Sequence, residues 1–145
     1  MTVHPSPALA ADSSRALRRA GMTVLRLGLG LVFAWFGLLK LLGTSPAEEL
    51  VLQTLWFLPG SVSMPLLGVW ETTIGLALLM SWTRLAVPLL LLHLPGTFLP
   101  FLVVPEVCFG QGLLELTLEG QYIVKNGVLV GGALLLAAGP APRDG

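Results

Sequence analysis

Residues 68–80 read GVWETTIGLALLM, from Gly68 to Met80. All of it suits hydrocarbon except Glu71, and the fold depends on how that carboxylate is read. In a soluble protein it is an ordinary acid on a helix. In a bilayer-spanning helix it is a charge near the membrane centre, which costs about 2.5–3.5 kcal/mol or more unless the protein shelters it. Composition selects the second setting. Hydrophobic residues make up 54% of the 145-residue chain and charged residues 11%. A soluble domain carries about 25% charged residues. Mean hydropathy is +0.84.

Working outward from Glu71, the sequence predicts four apolar spans of membrane length, which is about 20 residues each. They are Met22–Leu42, Val62–Trp82, Leu85–Val104 and Tyr122–Ala138. The expected fold class is all-α: a four-helix transmembrane bundle over residues 21–139, with a flexible cytoplasmic tail at 1–20 and another at 140–145. Helix in the first tail is expected only from Ser13 or Ser14 onward. Between the first two spans, SPAEELVLQTLWFLPG predicts a short interfacial helix. Ser45 is its expected cap, Pro46 its start, Glu48 the capping-box acid, and Trp56 and Phe57 its end. A tight turn near 81–84 makes the second and third spans antiparallel.

Basic residues favour the cytoplasmic side. Arg15, Arg18, Arg19, Arg26, Arg84 and Arg143 all fall on one side of a four-span chain, whereas Glu48, Glu49, Glu106, Glu115 and Glu119 fall on the other. Both termini are therefore expected in the cytoplasm.

Composition also narrows function. Net charge is zero and no basic run interleaves with aromatics, so nucleic acid is not an expected partner. Cys108 is the single cysteine, which rules out an internal disulfide or CxxC pair. With only His4 and His93 beside it, no metal site is expected.

Five ionisable residues lie in the spans: Arg26, Lys40, Glu71, His93 and Lys125. Arg26, Gly30, Phe33, Gly37 and Lys40 recur at helical spacing, as do Gly68, Glu71 and Gly75, so charge and glycine share one inward stripe on each helix. Two readings of Glu71 stand side by side: a proton-accepting or substrate-binding group, or a counter-charge for Arg26 or a lysine. His93 precedes Pro95, which predicts a kink beside it. Lys40 is expected to snorkel outward. Lys125 with Asn126 and Tyr122 forms a polar cluster on the fourth span. Gly127 and Gly131 form a GxxxG pair. Trp35 and Trp70 are candidate aromatic walls for a flat ligand, or core filler. The loop PEVCFGQGLLELTLEGQ is read either as a lid over the outer mouth of the bundle or as a strand-like or irregular connector resting on headgroups.

The stretches RLGLGLVFAWFGLLKL, GVWETTIGLALL and EGQYIVKNGVLV resemble the DoxX-like integral membrane proteins, and LTLEGQYIVKN is most similar to the YkgB-like branch. The likeness covers residues 22–138. It implies a four-helix bundle in a bacterial cytoplasmic (inner) membrane, with Arg26, Gly37, Lys40, Glu71, Lys125 and Asn126 at the family positions. It also implies an association with quinone-coupled or oxidative-stress redox systems. The leading expectation is a quinone-interacting, redox-associated subunit, with a quinone as candidate cofactor and a membrane or soluble redox protein as electron source. Further copies of the chain are candidate partners too. The alternatives are a small proton-coupled or anion transporter and a non-catalytic anchor or assembly protein.

Overall fold

The computed structural model describes residues 7–112 and 114–139, with side chains from residue 12 onward. His4, Leu113, Arg143 and the expected tail at 140–145 lie outside the described residues. Among the described residues seven helices follow in order: α1 Pro7–Leu41, α2 Glu48–Thr54, α3 Gly60–Leu79, α4 Thr83–Gly96, α5 Pro100–Val103, α6 Pro105–Cys108 and α7 Leu118–Ala138. Four stretches of the described residues are long and apolar enough to cross a membrane: Asp12–Leu41, Gly60–Leu79, Thr83–Val103 and Leu118–Ala138.

Each long helix turns one stripe inward. On α3 the stripe is Met64, Gly68, Glu71, Gly75 and Leu78, and on α4 it is Ala86, Leu90 and Leu94. Leu29, Phe33, Ile74, Leu78, Leu90, Leu94 and Ala133 form the core. The helices close a ring, since α1 packs on α3, α3 on α4, α4 on α7, and α7 back on α1. The outward faces are apolar as well, with Leu31, Trp35, Leu66, Val69, Leu92 and Val128 exposed. Water would penalise such a surface and a bilayer does not.

The closest seam joins α1 and α3. A Cβ on Gly75 would overlap the backbone of Ala34, and one on Gly37 would strike Thr72. Glycine is required there because the two backbones leave no room for a side chain. α3 then ends in a Schellman turn: the Trp82 N–H bonds Ala77 O at 2.7 Å, the Ser81 N–H bonds Leu78 O at 3.1 Å, and Ser81 is left-handed at φ 64°.

Several details differ from the sequence reading. α1 is already helical from Pro7, well before Ser13. α2 starts at Glu48 with Ala47 as its N-cap and no side-chain cap bond, while the Ser45 hydroxyl accepts from the Ala47 N–H at 3.3 Å instead of closing a capping box. A turn at Pro46–Ala47 displaces the helix start beyond Ser45's reach. Trp56 and Phe57 are exposed beyond the end of α2, not within it. The third span is interrupted: α4 stops at Gly96, one residue after Pro95, and the helix resumes at Pro100. The Thr97 hydroxyl donates to Leu94 O at 2.7 Å inside this break. Proline removes an N–H and crowds the preceding turn, so a stop at this point is expected.

Between α6 and α7 the described residues hold one isolated bridge and no longer strand. Phe109 and Leu116 make an antiparallel bridge, and the Gly110 N–H bonds Glu115 O at 2.6 Å. Thr117 anchors the loop and starts α7 four residues earlier than Tyr122. Its hydroxyl accepts from the Gly120 N–H at 3.1 Å and donates to Val107 O at 2.7 Å.

Candidate functional site

Glu71 is 7% exposed at the centre of the bundle, and Lys40 is 8% exposed. Lys40 Nζ donates to Glu71 Oε2 at 2.6 Å, and His93 Nε2 lies 3.3 Å from Glu71 Oε1. One carboxylate thus uses both oxygens, one toward α1 and one toward α4. Phe33 meets the His93 ring edge-on, with centroids 5.7 Å apart.

The local sequence explains the convergence. Lys40 ends the stripe that holds Gly30, Phe33 and Gly37, and the glycine contacts of that stripe bring α1 against α3. The lysine stem therefore needs no detour to reach Glu71. His93 sits on the face of α4 that carries Leu90 and Leu94, one turn before the proline break. Removing a buried charge from its partner is strongly unfavourable, so Lys40 and Glu71 hold each other in place, and Glu71 also reaches His93 on α4.

The outcome for Lys40 departs from the sequence reading, because its ammonium turns inward to Glu71 and does not snorkel. Arg26 does not neutralise Glu71 either. It lies about 21 Å from Lys40 along α1 at helical rise. Its guanidinium donates to Leu78 O at 2.5 Å and Leu79 O at 3.3 Å. Those are the last carbonyls of α3, at the negative end of its dipole, and Leu78 O also accepts from the Ser81 N–H.

Lys125 is exposed on α7, with its ammonium 4.7 Å from the Tyr122 ring centroid, and Asn126 is half-buried. No ion pair or hydrogen bond joins either of them to the trio. Trp35 is 62% exposed on the outer face of α1 and walls nothing. Trp70 packs against the core, and its indole N–H donates to Leu89 O at 3.2 Å, tying α3 to α4. Both tryptophans lie on helices that carry the site, but only Trp70 turns toward the core.

Two groups were not singled out from sequence. Phe33 supplies the aromatic contact on His93. Its place in the Arg26–Lys40 stripe was the available signal. The Thr72 hydroxyl is buried beside Gly37 without a hydrogen-bond partner. Nothing in the order of residues distinguishes it from Thr73, whose hydroxyl bonds back to Val69 O.

Chemically, the trio combines a cation, a carboxylate and an imidazole in a setting of low dielectric. The ammonium has donors beyond the one on Glu71, and the imidazole has a second ring nitrogen. Such a set can hold a polar group and relay a proton between neighbours. No family model matches the chain, and neither the curated proteins nor the solved structures include one with significant similarity to it.

Proposed function

We propose that this chain is a DoxX-like, multi-pass protein of a bacterial inner membrane whose Lys40–Glu71–His93 trio is the polar centre of a redox-associated, quinone-interacting subunit. The observation that carries the reading is the carboxylate bridging an ammonium and an imidazole from two other helices. An array of ionisable groups inside a span is expensive, and where it occurs it marks a site handling protons, ions or polar ligands.

The residues fit a quinone headgroup in kind. Lys40 and His93 offer donors to a carbonyl oxygen, and Phe33 gives the site an apolar edge. A bound quinone would supply two-electron chemistry, with the electrons coming from a partner protein or substrate. The chain's own part is to orient the headgroup, exclude water and hold a proton at His93 or Glu71. In this reading both termini face the cytoplasm, and α2, followed by exposed Trp56 and Phe57, rests at the opposite interface.

The test is binding of a short-chain quinone analogue to the purified protein. His93→Gln, which removes a donor to the headgroup, and Glu71→Gln, which frees Lys40 and His93 from the carboxylate that positions them, should each weaken it about tenfold. Helix content should be unchanged. Undiminished binding in both variants overturns the assignment.

One observation favours a second reading. The same carboxylate is already satisfied on both oxygens, as in a purely structural lock between α1, α3 and α4. In that case Lys40→Met combined with Glu71→Leu should keep both fold and cellular phenotype. Loss of the phenotype with the fold intact returns the site to chemistry.

A further inference from the structure

The end of the bundle opposite Lys40 carries a collar of arginines that the trio does not use. Arg15, Arg18 and Arg19 are exposed on α1, and Arg84 is exposed on the first turn of α4. Asp12 is the one acid at this end among the described residues, paired loosely with Arg15 at 3.9 Å. Glu48, Glu49, Glu106, Glu115 and Glu119 all belong to the other end.

Depth can be read from the helices. A hydrocarbon core of about 30 Å takes about 20 helical residues. α3 has 20 residues and ends at Leu79. Arg26 holds that end through Leu78 O and Leu79 O, so the core boundary lies at the α3–α4 turn. Counted back from Leu41, the same length of α1 reaches residue 22. Arg19 and Arg18 then stand about 4–6 Å beyond the core, at the level of the headgroups, with Arg15 about 10 Å out. At the turn itself, Ser81, Trp82, Thr83, Arg84 and Leu85 line an open depression of ≈ 360 Å³. Trp82 is largely exposed there, as interfacial tryptophans are.

The geometry points to an anionic-phospholipid site: the α3–α4 depression and the arginine face of α1 together take the phosphodiester headgroup of an acidic lipid. This rests on the membrane-spanning reading and is independent of the quinone assignment. Guanidinium groups pair well with phosphate oxygens, and a basic cluster next to a span attracts acidic lipid. The depth of the collar favours lipid over a soluble acidic partner, which would have no reason to seek the headgroup level.

The experiment uses the full chain in nanodiscs of phosphatidylcholine containing one quarter phosphatidylglycerol, with retained lipids counted by native mass spectrometry. Membrane insertion is checked first, by resistance to alkaline extraction. A chain that is extracted refutes the membrane reading, and this proposal falls with it. For an inserted chain, phosphatidylglycerol should be retained several-fold over phosphatidylcholine. The variant Arg18→Gln/Arg19→Gln/Arg84→Gln should lose most of that several-fold preference at low salt. Glu48→Gln/Glu49→Gln at the other end should leave the preference unchanged. Inorganic phosphate at millimolar concentration should not displace the lipid. Equal retention of the two lipids, an unaffected triple variant, or displacement by free phosphate overturns the proposal. Binding of polyglutamate as tight as that of the acidic lipid overturns it in favour of an acidic polypeptide.

Discussion

The α1–α3 seam and the outward face of α7 both carry glycines at helical spacing, yet only one is a packing surface. Gly30, Gly37, Gly68 and Gly75 are buried where α1 meets α3. Gly127 and Gly131, the GxxxG pair, have nothing within 4 Å of an added Cβ. α7 instead turns Gly132 toward Leu25 and Leu29 of α1. What separates the two regions is charge. The seam contains Lys40 and Glu71, which must leave lipid and do so by pairing, whereas the α7 glycines carry no such demand. In a bilayer, where apolar contact alone gives little driving force, the buried ion pair adds a polar contact to the α1–α3 seam that the α7 glycines lack.

The sharpest way to break this comparison is at the ion pair. Lys40→Met should destabilise the protein by about 3–5 kcal/mol, because it leaves the Glu71 carboxylate buried without its cation. Adding Glu71→Leu should recover most of that loss. Reversible unfolding in mixed micelles measures both. If the single and double variants are equally damaged, the pair is not what holds the seam.

Next come the glycines. Gly75→Val should cost about 1–3 kcal/mol or more, since the new side chain meets the Ala34 backbone, which cannot rotate away. Gly131→Val should fall within about 0.5 kcal/mol, as for an open surface position. Similar losses at both positions would place α7 against a partner helix.

Trp70→Phe sharpens the contrast on the other side of α3. It keeps an aromatic ring and removes the N–H that reaches Leu89 O, so a loss of about 0.5–1.5 kcal/mol is expected in the same assay. The smallest effect concerns Cys108, fully buried under the loop that Thr117 pins to α7. Burial pushes its thiol above the ordinary value of 9.0, with Glu119 and Glu106 adding to the shift. The folded state therefore keeps the thiol proton more firmly than the unfolded state. The stabilisation is complete below the unfolded thiol's pKa and is lost as pH rises through the folded one. Maleimide labelling of Cys108 should stay slow at neutral pH and accelerate sharply in denaturant. Rapid labelling of the folded protein would show that the loop does not cover it.

Much of this architecture was legible from residue order. Four helices of membrane length follow from four apolar runs, because the bilayer demands backbone hydrogen bonds closed within each segment. The inward stripes on α1 and α3 were readable from their three- and four-residue spacing, and the proline break beside His93 from Pro95. Helix starts were less legible. Ser45 and Glu48 carry a capping-box pattern that a local turn overrides, and Thr117 caps α7 well before the apolar run begins.

The candidate site was half visible. Sequence marked Arg26, Lys40, Glu71, His93 and Lys125 as unusual, because a charge in hydrocarbon is expensive wherever it lies along the chain, and Asn126 as the polar neighbour of Lys125. It did not reveal that Lys40 and His93 meet at one carboxylate while Arg26 serves the end of α3 and Lys125 stays outside. Residue order alone therefore established a membrane-length helical chain with ionisable groups that need shelter. Only the tertiary structure decided which groups shelter one another, since partnership depends on helix rotation and close approach at the glycines, and neither is set by the residues of a single helix.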